Sequence, residues 1–290
     1  MAEFLQKIRN RMRLIVQVGF TALTNGYVLG FIKGKIYKGP TKALCVPGLN
    51  CYSCPGALGA CPIGSLQAVL GSRNYRFSFY IIGFLIFIGS LIGRFVCGWL
   101  CPFGLIQDLL YKIPFFRNRK RKNLPGHKWL VWLKYVILVV FVILLPMFYV
   151  DIIGQGSPWF CQFICPSGTL TAGILNEDLR GAIGFLFAWK AAILAAVVLL
   201  SIMVYRPFCK YLCPLGAIYG LFNPIALYRY QVDETKCNRC GSCQRACKMD
   251  IRVWETPNSR ECIRCGDCIK SCKRGAICTT MKKNKEKEQE

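Results

Sequence analysis

Nineteen cysteines are spread over 290 residues, and most of them fall at two recurring spacings. Near the C-terminus, Cys237-x2-Cys240-x2-Cys243-x3-Cys247 is followed by Cys262-x2-Cys265-x2-Cys268-x3-Cys272. An x2 spacing lets three thiolates converge on three corners of one iron–sulfur cube, and the fourth cysteine of each run reaches the other cube. Cys237, Cys240, Cys243 and Cys272 are therefore expected to hold one [4Fe–4S] cluster, and Cys262, Cys265, Cys268 and Cys247 a second. Zinc is a poor alternative, because it needs four thiolates rather than a repeated run of four.

A second pattern occurs four times: Cys61-Pro62-Ile63-Gly64, Cys101-Pro102-Phe103-Gly104, Cys165-Pro166-Ser167-Gly168 and Cys213-Pro214-Leu215-Gly216. In the last three a further cysteine lies four residues earlier, at Cys97, Cys161 and Cys209. In the first that slot is Ala57, with Cys45, Cys51 and Cys54 nearby. Proline suits the first position of a helix, where its missing N–H is not needed. The cysteine then becomes the N-cap, and the positive end of the helix faces its sulfur. A thiolate or an anionic cluster is stabilised there. Short apolar stretches such as 103–113 follow and read as partial helices that lower a cluster into a membrane.

The composition says what must position these motifs. Hydrophobic residues make up 54% of the chain and charged residues 18%, and the mean hydropathy is +0.36. That is too apolar for an ordinary soluble domain. Segments 77–96, 129–150 and 183–205 meet the requirement of about 20 apolar residues for a membrane span. A fourth, 12–31, is interrupted by Gln17, Thr21, Thr24 and Asn25, and is counted as spanning against the alternative of an interfacial helix. Lys7, Arg9, Arg11 and Arg13 precede it without a small-residue cleavage site, as in an uncleaved signal anchor. The expected fold is thus an α-helical integral membrane protein with about four spanning helices in an inverted-repeat-like arrangement, joined to a small α+β domain. The membrane domain covers residues 1–230 and the two-cluster domain 231–280, and 281–290 is a charged tail. The net charge is +24, and the basic residues are read at helix flanks and in a C-terminal tail, with no aromatic-basic motif for nucleic acid. A bacterial or archaeal cytoplasmic membrane is the expected location, with lipid as the solvent.

Basic residues set the orientation. The N-terminus and the loop 97–128, with Lys112, Arg117, Arg119, Lys120, Arg121, Lys122 and Lys128, belong in the cytoplasm together with the two-cluster domain. Loop 151–182, with Asp151, Glu177 and Asp178 against Arg180, belongs outside, although Lys33, Lys35, Lys38 and Lys42 would then lie outside too. Counting spans brings Cys97, Cys101, Cys209 and Cys213 to the inner face as a third [4Fe–4S] cluster. Six cysteines remain outside, of which Cys54, Cys61, Cys161 and Cys165 are the preferred ligands of a fourth, with Cys45 and Cys51 as alternatives. Arg94 and Arg206 each precede an inner motif by three residues. They either compensate a negative cluster or snorkel to the interface.

These motifs resemble those of the NapH/NosR-type polytopic membrane iron–sulfur proteins over about residues 75 to 275. The family's paired CxxxCP motifs correspond to Cys97, Cys101 and Pro102 and to Cys209, Cys213 and Pro214, and its C-terminal ferredoxin cysteines match as well. Lys248 and Lys273 stand where ferredoxins usually carry proline, which should leave ligation intact while shifting potential and partner choice. The resemblance implies electron transfer between a quinol or cytoplasmic donor and partners that include extracytoplasmic flavin-binding proteins. The added outer cysteines point to a wire across the membrane, fed by a ferredoxin, flavodoxin or NAD(P)H-linked flavoprotein. Quinol dehydrogenation with delivery to a partner reductase is the alternative, and further membrane subunits fit either scheme. His127 is the only histidine, so a bis-histidine haem within the chain is excluded, and Cys278 is left over after ligand assignment.

Overall fold

The computed structural model describes residues 2–72, 78–114, 120–149, 156–174 and 184–281, without the side chains of 2–10, 78, 172 and 174. Arg117, Arg119, Asp151, Glu177, Asp178, Arg180, the tail 282–290 and the side chains of Lys7 and Arg9 lie outside the described residues.

Among the described residues, two helices are long and apolar enough to cross a bilayer, His127–Phe148 and Phe185–Met203. The first contains a π-helical stretch, Leu138–Leu144, that ends just before Pro146. A proline there removes a backbone donor, which is a usual site for such a disturbance of the helical ladder. The other two expected spans come out differently. Segment 12–31 is not one helix, because Ala2–Thr24 ends before Asn25-Gly26 and Val28–Lys33 starts anew. Thr24 Oγ1 and Asn25 Nδ2 donate back to the carbonyls of Phe20 and Thr21, closing the last turn from within. The helix within 77–96 is described from Ser78 to Ile92 and stops at Gly93, whose φ of 49° leaves the right-handed region. The 15 residues described rise about 22 Å.

Between these helices lie the short ones of the repeat: Pro62–Leu70, Pro102–Lys112, Pro166–Gly168 continuing π-helically as Thr169–Ile174, and Pro214–Phe222. Proline occupies the first turn of each, and Cys61, Cys101, Cys165 or Cys213 is the N-cap.

The C-terminal unit is small. A two-stranded antiparallel sheet, Tyr230–Val232 with Ile277–Thr279, closes it, and the short helices Ser242–Ala246 and Asp267–Ser271 lie between. It sits directly on the helical body. Trp99 Nε1 donates to Arg264 O at 3.0 Å, and Asn223 Nδ2 donates to Ser259 O and Cys262 O at 2.9 and 2.7 Å. Gly98 permits this approach, since a β-carbon there would run into the backbone carbonyl of Ile263.

Candidate iron–sulfur centres

In the C-terminal unit the two cysteine runs fold alike. Arg239 and Arg264, each just before a motif's second cysteine, have φ of 54° and 52°, and Gly241 and Gly266 just after have φ of 72° and 84°. Left-handed arginines are strained and persist only where the surroundings hold them. Cys237, Cys240, Cys243 and Cys272 line one cavity of about 260 Å³, together with Trp254 and Ile277. In the second group burial pushes the Cys268 thiol up, and neighbouring Cys262, Cys265 and Cys247 push it further. The fourth cysteine of each run thus stands with the other run. Cys278 lies on the closing strand, its sulfur 3.8 Å from Gln231 O.

The third group lies beneath this unit. Burial raises the Cys213 thiol well above its usual value, reinforced by Cys209, Cys97 and Cys101. Gly216 N–H donates to Cys213 Sγ at 3.4 Å, so the helix N-terminus does face the sulfur. Two arginines lace the paired motifs crosswise. Arg94 NH2 donates to Cys209 O at 3.0 Å, and Arg206 NH1 donates to Cys97 O. Both are fully buried, so neither reaches the interface as a snorkelling residue would. Gly104 and Gly216 leave room for them, because a β-carbon there would lie 3.2 Å from Arg206 or 3.3 Å from Arg94.

Each arginine also has a carboxylate. Arg206 holds Asp108 through two parallel bonds of 2.7 and 2.6 Å, and Arg13 pairs with the same group. Arg94 pairs with Glu261 of the C-terminal unit at 2.9 Å, as does the buried Lys134. Burial alone would raise the Glu261 carboxyl, but Arg94 and Lys134 outweigh it and hold the group below its ordinary value.

In the fourth group the structure brings Cys51, rather than Cys54, beside Cys61, Cys161 and Cys165. Burial pushes the Cys61 thiol up to about 12, with Cys165 and Cys51 adding to the rise. Cys161 is raised by burial and then by Cys165, Cys61 and Cys51. A β-carbon on Gly168 would lie 3.6 Å from Cys51 Sγ, and one on Gly64 would lie 3.8 Å from Cys161 Sγ. Cys54 instead has its sulfur 3.8 Å from Asn25 Oδ1. Cys45 bridges to Ala60 and faces Ser65. Lys42, expected outside, is buried with Nζ on Ala57 O at 2.8 Å.

The third and fourth groups adjoin. Tyr219 is fully buried, and burial together with Cys97, Cys61, Cys101 and Cys45 pushes its phenol up. Its hydroxyl donates to Pro47 O at 3.1 Å, and a β-carbon on Gly48 would lie 3.1 Å from Cys101 Cα. The loop carrying the outer cysteines therefore packs against the inner motif.

A single metal ion does not suit this geometry. Among the described residues, no three His, Cys, Asp or Glu side chains come close enough to share one ion. A cube, which presents a separate iron to each sulfur, suits four buried thiols around a common space. Its negative charge also suits the buried arginines. Sequence reasoning missed Asp108, Glu261, Lys134, Tyr219, Gln67 and Gln107 as parts of these centres. The two glutamines had a signal, since each lies six residues after a Cys-Pro-x-Gly cysteine.

Comparison with known proteins finds iron–sulfur families over part of the chain. A 4Fe-4S binding domain family matches residues 75–123 and 185–227, which contain Cys97, Cys101, Cys209 and Cys213. A second 4Fe-4S binding domain family matches 230–252. The uncharacterized protein MJ0750 of Methanocaldococcus jannaschii is 33% identical over 181 residues, 61% of this chain and 68% of that protein. The methylamine utilization ferredoxin-type protein MauN of Methylorubrum extorquens is 29% identical over 65% of this chain and 55% of its own length. The regulatory protein NosR of Pseudomonas aeruginosa is 28% identical over 61% of this chain and 24% of its own length. No solved structure matches the chain.

Proposed function

Because the chain belongs to the NapH/NosR-type family of ferredoxin-like iron–sulfur proteins, we propose that it relays electrons through four [4Fe–4S] clusters across a bacterial or archaeal cytoplasmic membrane. The donor is a cytoplasmic ferredoxin, flavodoxin or NAD(P)H-linked flavoprotein, and the acceptor an extracytoplasmic flavin-binding or other redox protein. The clusters supply reversible one-electron chemistry when bound. The chain's own residues hold the sites in series and exclude water from them. One observation supports the reading: buried side chains link neighbouring cysteine groups. Arg94 joins the unit of Cys262 to the quartet of Cys97, and Tyr219 stands between that quartet and the quartet of Cys61.

A row of sites matters because the hydrocarbon core is about 30 Å thick, too wide for one rapid tunnelling step. Four cubes would bring about sixteen iron atoms per chain. Anaerobic iron and sulfide analysis tests the content, and Cys209→Ser in sealed vesicles tests the route. The variant should keep the C-terminal centres reducible from the cytoplasmic side and stop delivery to the outer centre. Undiminished delivery, or thiol mapping that places residues 97 and 161 on one face, would replace the wire with one-sided quinol chemistry.

A further inference from the structure

We propose that Gln67 and Gln107 are matched amide donors, each raising the reduction potential of one membrane-domain centre. The inference rests on the reading that both quartets hold clusters. Gln67 lies on Pro62–Leu70 and Gln107 on Pro102–Lys112, each six residues past its N-cap cysteine. They are 0% and 1% exposed. Gln67 Nε2 is 3.3 Å from Cys161 Sγ, and Gln107 Nε2 is 3.1 Å from Cys209 Sγ. In both cases the sulfur is the first cysteine of the opposing CxxxC motif, so each amide reaches across its centre rather than along its own helix.

The same Nε2 atoms also face a carbonyl four residues back, Ile63 O at 3.3 Å and Phe103 O at 3.4 Å. An amide end that meets both a carbonyl and a sulfur must be its N–H₂ end, which settles the orientation without appeal to hydrogen positions. The opposing helices have Thr171 and Tyr219 at the equivalent place, and their hydroxyls go to Ser167 O and Pro47 O instead. Among the described residues, each centre therefore has one side-chain amide donor, supplied by its first motif, beside the backbone amides of the helix N-termini.

Reduction adds an electron to a cube and increases the negative charge on its sulfurs. A fixed N–H dipole directed at a ligand sulfur stabilises the reduced state more than the oxidised one, and hydrogen bonds to sulfur are among the established controls of cluster potential. In a dry, low-dielectric site the effect is larger than in water. The two amides differ in their other end. Gln67 Oε1 accepts from Phe160 N at 2.9 Å and ties the donor to the motif it serves, whereas Gln107 Oε1 is buried with no hydrogen-bond partner.

The test is a redox titration followed by EPR on the full chain in detergent, with iron content measured on the same samples. Gln107→Met keeps the side-chain length and removes the amide, with its bonds to Cys209 Sγ and Phe103 O and its unpartnered oxygen, and Gln67→Met does the same at the outer centre while also freeing Phe160 N–H. Gln107→Met should make the inner centre about tenfold harder to reduce, ~59 mV for a one-electron couple, and leave the outer centre unchanged. Gln67→Met should do the converse. If Gln67→Met misfolds, Gln107→Met decides alone. Unchanged potentials at full iron content would overturn the proposal, as would loss of about four iron atoms from the Gln107 variant, which would mark a structural role. A wild-type preparation with only about eight iron atoms would instead overturn the underlying assignment of clusters to these quartets, and the proposal with it.

Discussion

Replacing Glu261 with glutamine should loosen the joint between the C-terminal unit and the helical body. Among the described residues, Glu261 is the one carboxylate paired with both Arg94 and Lys134, whose side chains are fully buried, while its own side chain is 16% exposed. Removing one partner of a buried ion pair costs about 3–5 kcal/mol, because the other charge is left uncompensated. Arg94 keeps its bonds to Arg260 O and Cys209 O, and Glu261 is slightly wetted, so the lower end applies. About 3 kcal/mol is a factor of about a hundred in an opening equilibrium. Hydrogen–deuterium exchange of the amides at 259–268 should therefore accelerate about a hundredfold in Glu261→Gln at neutral pH. Glu255→Gln is the control. It breaks an exposed pair with Arg252 at 3.5 Å and should change nothing measurable. An acceleration of less than about threefold in Glu261→Gln would refute the claim that this carboxylate holds the joint.

Two further outcomes follow from the geometry. Cys51→Ser should abolish the EPR signal of the outer centre and Cys54→Ser should leave it, since Cys51 and not Cys54 stands with Cys61, Cys161 and Cys165. Gly98→Ala should expose the seat of the C-terminal unit to limited proteolysis without removing any cluster ligand, because its β-carbon meets the Ile263 carbonyl; an unchanged digestion pattern would show that this contact yields.

The grouping of the C-terminal cysteines was legible because their spacing is local: three sulfurs in seven residues leave the backbone few arrangements. The N-cap role of Cys61, Cys101, Cys165 and Cys213 was legible for the same reason, since proline at the first helical position has a local steric meaning. Which loop cysteine joins the outer centre was not legible. Cys51 and Cys54 lie in a loop of Pro, Gly and short side chains, with no periodicity to set which sulfur turns inward. The repeat register favoured the residue nearest the empty Ala57 slot, and tertiary packing turned Cys54 toward Asn25 instead. The bounds of the helix within 12–31 were not legible for a related reason. A hydropathy window averages over Asn25-Gly26, whereas a helix must either continue through those two residues or stop.

Charge gives the inner centre a logic that no single motif shows. Arg94 and Lys134 share Glu261, and Arg13 and Arg206 share Asp108. Each set is left with one excess positive charge. Buried charges without partners are expensive in any apolar setting, and more so within a membrane. A cube with a core charge of about +2 held by four thiolates carries about −2, which matches the two excess cations around Cys97, Cys101, Cys209 and Cys213. The arginines also bond to the backbone carbonyls of the opposing motif, so the same side chains fix the distance between the paired cysteines and balance the charge that those cysteines hold. Reduction would take the centre one charge beyond balance. Glu261 lies directly before Cys262 in the chain, so the carboxylate that tempers one excess cation comes from the neighbouring cysteine group.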